Sequence, residues 1–500
     1  MGIIFKQSFK NTLIIYLGFI IGGINTLVLY TRFLKDEYYG LVTYVLSASN
    51  LVMPIIAFGI HFTIIKFFSA YTSKKEQDKF LSSIIFFPLL IAIPIGAFWD
   101  IFHNWIMDFV SKSSSEGNLI IESYTIHIYI IAVACAYYEV FYSWAKVQMQ
   151  SVFGNLLKEL YNRVAVMILL FAVYFNFITK QEFIVYLSWA YILRTLLMMI
   201  YAFRLYTPKF SFSLPDNFKE VLRYTFYIIL AGSAGAIILD IDKVMIPGKD
   251  GFETAAYYAV AVFIGSFIEA PSRAMGQILQ PLTSKSINED NVKETQSLYK
   301  KSSINLMVIG GLFFVLVNCN VAELFKLLPN DKYAGGMSVV LMISSAKLFL
   351  MLLGNNGAIL NNSKFYRIIL PVNLGMALSV YFLNTYFYND LGMGTEGLAL
   401  ATLITILIFN SFKLWFVKKK FSMTPFTNKT FLITIIIFIM FLGFYFWDFS
   451  VPEFYISKFP LHPIINITLK SVVIFSIYMF LVVKLSISEQ INSLVKRYVK

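Results

Sequence analysis

Cysteine is nearly absent from this chain: Cys135 and Cys319 are the only two in 500 residues, each isolated in an apolar run. No disulfide framework or cysteine metal site can be assembled from them. Histidine is scarce as well, and His61, His103, His127 and His462 share no ligand spacing, so no metal or cofactor is expected. No Ser/His/Asp set and no paired carboxylates fall near a common loop, and without them the chain does not read as an enzyme. Charge is thin: 14% of residues are charged against 58% apolar. That balance excludes a soluble globule, because the polar side chains could not cover its surface.

Long uncharged runs fill the chain instead. Asn11 to Thr31, Tyr38 to Ile65 (with one histidine), Phe80 to Trp99, Ser302 to Ala322 and Ile368 to Asn389 each have membrane length, since about 20 helical residues cross a ~30 Å hydrocarbon layer. Further apolar runs centre near residues 135, 168, 193, 233, 267, 348, 405, 438 and 474, several carrying one charge. The expectation is an all-α polytopic membrane protein with about 14 transmembrane helices. The first run is longer than the apolar core of a signal peptide and lacks a small-x-small cleavage site, so it is expected to stay as the first span.

Basic residues collect on alternate connections. With the N-terminus inside, cytoplasmic segments hold 28 of the 41 lysines and arginines and outside loops hold nine. Basic groups near a span resist translocation, so both termini are expected in the cytoplasm. The net charge of +13 is scattered over these segments with no aromatic-interleaved cluster, which argues against nucleic acid and for topology and contact with anionic membrane lipids.

Little length is left for a soluble domain. The connection from Tyr206 to Arg223 has two prolines and a basic balance and follows the sixth span. It divides the chain into residues 1–206, a cytoplasmic linker at 207–223, residues 224–420, and residues 421–500 with two further spans and a tail. In the tail, Ile491, Leu494, Val495 and Tyr498 recur at helical spacing opposite Lys496, Arg497 and Lys500, so Ile487 to Lys500 patterns as a short interfacial helix. Gly392, Gly394 and Gly397 spell G-x-G-x-x-G, but the match follows a 22-residue uncharged span, not a strand, and reads as a loop.

The informative residues are the charges a bilayer should reject, each costing at least ~2.5 kcal/mol at mid-membrane unless it faces a cavity or a partner. In FIGSFIEAPSRAMGQILQP, Glu269 and Arg273 lie four apart on one helix face, and Pro271 between them removes a backbone hydrogen bond. They could neutralise each other, or Arg273 could present its fork of donors to a phosphate. Arg194 and Lys347 are also stranded among apolar residues. Arg32 and Lys66 sit at span ends, where snorkelling accounts for them equally well. A ring of such cations would suit a doubly anionic ligand. Asp240, Asp242, Glu139 and Glu269 are the carboxylates that could carry a proton or help hold a sodium ion to couple transport, although Asp240 and Asp242 lie beside Lys243 near a span end. Prolines 54, 88, 94, 271 and 281 and glycine pairs 22/23, 232/235 and 310/311 mark helices that can bend and approach closely.

The stretch TRFLKDEYYGLVTYV, with Arg32, Phe33, Leu34, Glu37, Tyr39 and Gly40, resembles the opening of the Wzx-type oligosaccharide flippases of bacteria; LDIDKVMI (Leu239 to Ile246) with AAYYAVAVFI, and GTEGLALAT (Gly394 to Thr402), are similar to later family segments. The resemblance implies the fold shared with multidrug extruders and lipid II flippases: two pseudo-symmetric six-helix bundles plus two C-terminal helices. Of an internal repeat little survives, Tyr38-Tyr39 before Pro54 matching Tyr257-Tyr258 before Pro271. The resemblance also implies outward movement of a polyprenyl-diphosphate-linked oligosaccharide across the inner membrane by alternating access, for surface polysaccharide such as O-antigen or capsule. Arg273, with Lys347 and Arg194, would receive the diphosphate. Membrane lipids, a coupling ion (H+ or Na+) and other glycan assembly proteins are the remaining expected partners. The competing readings are an ion-coupled exporter of small amphipathic cations and, in a different class, a membrane glycan polymerase or glycosyltransferase. The Asp100 to Glu122 loop, with Asp108 and Glu116, is short for the latter.

Overall fold

The computed structural model describes residues 2–68, 71, 73–104, 123–210, 213–449, 451–456 and 459–498, side chains at 2–6, 8, 9, 230–232, 456, 459 and 494–498 excepted. Asp108, Glu116 and Glu122 of the loop after the third span, and the side chains of Leu494, Val495, Lys496, Arg497 and Tyr498, lie outside the described residues.

Among the described residues, thirteen helices are long and apolar enough to cross a membrane: α1 (Lys10–Phe33), α2 (Asp36–Ile56), α3 (Lys74–Ala97), α4 (Thr125–Val147), α6 (Lys180–Leu205), α7 (Phe218–Met245), α8 (Pro247–Asn288), α9 (Val292–Phe325), α10 (Asp331–Leu352), α11 (Tyr366–Asp390), α12 (Gly394–Phe421), α13 (Asn428–Tyr445) and α14 (His462–Lys484). Between α4 and α6, residues 152–174 form α5, a continuous helix with one widened π turn at Leu157–Tyr161. Its charged residues are Lys158, Glu159 and Arg163, all in its first half, and its position matches the fifth expected span. These fourteen helices correspond one to one with the apolar runs of the sequence. A short helix, Glu489–Tyr498 (α15), follows them where the amphipathic pattern falls. The described strands are two two-residue segments, Tyr455–Ile456 and Phe459–Pro460, paired antiparallel.

Local sequence sets the helix ends. Thr179 and Glu182 form a reciprocal capping box that opens α6, as Ser73 and Glu76 do for α3 and Thr427 and Thr430 for α13. α8 is interrupted twice: Gly251 is non-helical (φ 79°) near its start, and before Pro271, which cannot donate to the preceding turn, the helix narrows to a 3-10 turn at Phe267–Glu269.

Two compact units result: residues 1–259 with 370–381, and residues 260–369 with 382–500. The first includes α7, which lies along α2, so its edge does not coincide with the 207–223 connection. That connection is tied to the first unit. Tyr206 Oη donates to Asp78 Oδ1 at 2.7 Å, Ser82 Oγ to the Lys209 carbonyl at 3.4 Å, and Tyr71 Oη to Asn217 Oδ1 at 2.5 Å. The core of this unit is aromatic and aliphatic, with Ile60, Phe80, Tyr138, Trp144 and Met198 all buried. At Gly40 the backbone of α2 meets the chain at Phe252 so closely that a Cβ would stand 1.7 Å from the Phe252 carbonyl oxygen.

In the second unit α13 and α14 pack on α9 around Leu306, Val315, Ile433, Ile437 and Tyr478. The glycine pair of α9 permits this: a Cβ at Gly311 would reach Ile437 of α13 at 2.2 Å, and one at Gly310 would reach Met351 of α10 at 2.4 Å. Tyr478 Oη also donates to the Val308 carbonyl at 2.8 Å. Large apolar side chains such as Leu90, Phe177, Trp189, Phe382, Phe438 and Phe480 are exposed, as on helices solvated by lipid tails.

Candidate functional site

The break in α8 organises the first charge cluster. Glu269 ends the 3-10 turn, Arg273 lies one helical turn beyond it, and Lys347 reaches in from α10. Glu269 Oε1 is 3.4 Å from Arg273 Nε, and its Oε2 is 2.5 Å from Lys347 Nζ. The Glu269 and Arg273 pair expected from spacing is therefore a triad, in which one carboxylate serves two cations and the three charges sum to +1. Lys347 is nearly enclosed while the Arg273 side chain is 43% exposed. Arg273 is thus the more exposed of the two cations that share Glu269.

Asp240 and Asp242 of α7, two residues apart, turn to different neighbours. Ser47 Oγ and Asn50 Nδ2 of α2 donate to Asp240 at 3.0 and 3.2 Å, and Lys243 Nζ approaches its Oδ1 at 3.0 Å. Asp242 accepts from Tyr258 Oη at 2.6 Å. Sequence reasoning found the Lys243 partner by adjacency but missed Ser47, Asn50 and Tyr258; the three-residue spacing of Ser47 and Asn50 on one face of α2 was the available signal.

Glu139 of α4 pairs with Lys158 at 2.6 Å. Lys158 stands in the widened π turn of α5. A double-mutant cycle checks this pair: Glu139→Ala is expected to lower the melting temperature more than Glu139→Ala with Lys158→Met, with a coupling of ~0.5–3 kcal/mol. Strictly additive effects would mean that the contact does not hold the two helices together.

Arg194, 5% exposed, is enclosed between α4 and α6. Its Nη2 donates to Cys135 Sγ at 3.2 Å, and its guanidinium lies 4.1 Å over the Tyr138 ring and 4.7 Å from that of Tyr191. Cys135, isolated in the sequence, is thus a partner of a buried cation. Lys66 is at the exposed end of the Ile60–Phe67 helix, with Nζ 3.8 Å over Tyr224, and Arg32 is exposed in the last turn of α1. Lys470 of α14, not singled out by the sequence, is buried and 3.8 Å from Asp448. Among the described residues, no three His, Cys, Asp or Glu converge as a metal site would require.

Comparison with known proteins places the sequence in a family and the fold among solved structures. The sequence model described as polysaccharide biosynthesis protein matches residues 6–285. An uncharacterized membrane protein of Methanocaldococcus jannaschii is 22% identical, over 95% of this chain and 94% of its own. Among solved structures, the lipid II flippase MurJ in an inward closed conformation superposes with a TM-score of 0.67 at 15% identity, covering 94% of this chain and 98% of that one. A multidrug resistance MATE family transporter of the MOP superfamily, inward-facing, superposes with a TM-score of 0.57 at 12% identity, covering 82% and 94%.

Proposed function

Because the chain belongs to the polysaccharide biosynthesis protein family and has the fold of flippases and transporters of the MOP superfamily, we propose that it flips a polyprenyl-diphosphate-linked oligosaccharide from the cytoplasmic to the outer face of the inner membrane. The cargo serves surface polysaccharide such as O-antigen or capsule and moves without covalent chemistry. The moving halves are the six-helix bundles of residues 1–206 and 224–420, joined by 207–223, so the packing of α7 on α2 lies at their junction and must change as they move; both termini are in the cytoplasm. The observation that supports the reading is the meeting of Glu269, Arg273 and Lys347 at the break in α8: Arg273, the more exposed of the two cations, is a planar fork of donors of the kind that grips the paired oxygens of a diphosphate. Arg194 supports the field from within the packing of α4 and α6, while Arg32 and Lys66 meet headgroups at the span ends.

Ion coupling falls to a carboxylate whose partners can exchange. Asp240, held by two neutral donors and one lysine, is the first choice over Asp242, Glu139 and Glu269. Asp240→Asn is expected to insert normally and to lose the dependence of glycan export on the H+ or Na+ gradient. Export that follows the gradient as in the wild type would remove Asp240 from this role. The exporter alternative is tested in the same strains: a deletion host with normal surface glycan and raised sensitivity to cationic drugs would displace the flippase reading.

A further inference from the structure

The foot of α9 carries a second positive site, one that shares no residue with the Glu269 triad. At 34 residues α9 exceeds a span by more than ten, and its uncharged stretch starts only at Ser302. The preceding turns therefore project to the depth of the headgroups, where α13 starts at Asn428 and α14 ends at Lys484. On this overhang Lys293, Lys300 and Lys301 recur at helical spacing with Gln296 and Ser297, all on one face. The three lysines are exposed. With Lys429 at the start of α13 and Ser488 to Gln490 at the start of α15, they line a pocket of about 500 Å3.

The walls are fastened to one another. Ser488 Oγ donates to Asn305 Oδ1 at 2.6 Å, Asn305 Nδ2 donates to Gln490 Oε1, and Lys429 Nζ donates to the Leu485 carbonyl at 2.6 Å. Asn305 and Ser488 are buried. Four lysines and one carboxylate, Glu489, line the space, a formal excess of +3 beside hydroxyl and amide donors.

We propose that this pocket binds a phosphate group, carried by an anionic membrane lipid or by a free phosphate. Lysine serves phosphate as a point charge, the preformed walls spare the ordering cost of assembling the site, and the headgroup depth brings lipid phosphates to its mouth. Bound there, the ligand bridges α9, α13 and α15 and holds the two C-terminal spans to the second unit.

The test uses the full chain purified in detergent. Native mass spectrometry counts bound phosphatidylglycerol against phosphatidylcholine, and thermal melting is followed with inorganic phosphate. The wild type is expected to retain phosphatidylglycerol over phosphatidylcholine or to melt higher with phosphate, the first identifying a lipid as the source and the second a free phosphate. Lys300→Gln with Lys301→Gln, which leaves the Lys429 hydrogen bond intact, is expected to weaken binding at least tenfold. Lys418→Gln, Lys419→Gln and Lys420→Gln, a basic run on α12 outside the pocket, are expected to leave it unchanged. The proposal is overturned if the wild type responds to neither probe, if the pocket variant binds as the wild type does, or if the α12 control loses as much.

Discussion

Arg273→Ala, inserted at the wild-type level, is expected to abolish surface glycan. The reason is the donor geometry. Glu269 has Lys347 at 2.5 Å and Arg273 at 3.4 Å; without the guanidinium the planar fork is gone, and the remaining cation, Lys347, is nearly enclosed against Glu269. A hydrogen bond to a charged group contributes about 1.5–3 kcal/mol, so losing the fork should weaken cargo binding roughly 10- to 100-fold. Arg273→Lys keeps the charge but not the planar pair of donors and should fall between. Staining of surface glycan in a deletion host, with insertion followed by immunoblot, measures this. Wild-type glycan from Arg273→Ala would remove the triad from the cargo path.

A second large effect is structural. Gly40→Leu is expected to leave little folded protein, and Gly40→Ala to melt well below the wild type. A Cβ at this position meets the Phe252 carbonyl oxygen at 1.7 Å, and that atom belongs to backbone, so no side-chain rotation can relieve the contact. Overpacking that side chains can absorb costs about 1–3 kcal/mol; here α2 itself must move. Gly235→Ala in α7 is the control, because its added methyl meets nothing within 4 Å. Size-exclusion melting of the purified variants compares them. Equal melting of Gly40→Ala and Gly235→Ala would show that α2 and the start of α8 do not approach at this point. The glycine that ends the Tyr-Gly motif is therefore explained by packing, whatever the cargo.

Span positions were legible because they follow from a one-dimensional property, apolar length; that signal is weakest at α5, where Lys158, Glu159 and Arg163 interrupt the run. The break in α8 was legible from Pro271 alone. Partnerships were not. The donors to Asp240 lie 193 and 190 residues away in the chain, Lys158 reaches Glu139 through a π turn that spacing rules do not anticipate, and Lys347 joins Glu269 from another helix. Arg194 was read as a cation awaiting a ligand, and its sulfur and aromatic partners are ordinary apolar residues in sequence. The compact units likewise depend on which face α7 packs, which its weakly polarised sequence does not disclose.

The central claim is that the chain moves a lipid-linked oligosaccharide across the membrane, and the most direct measurement is the face on which that intermediate resides. Polyprenyl-linked oligosaccharide is labelled in intact spheroplasts of the deletion host with a membrane-impermeant sugar oxidant, and again after complementation. The account predicts completed units that accumulate unlabelled in the deletion host and become labelled when the wild-type gene, but not Arg273→Ala, is restored. Units labelled to the same extent with and without the gene would contradict it.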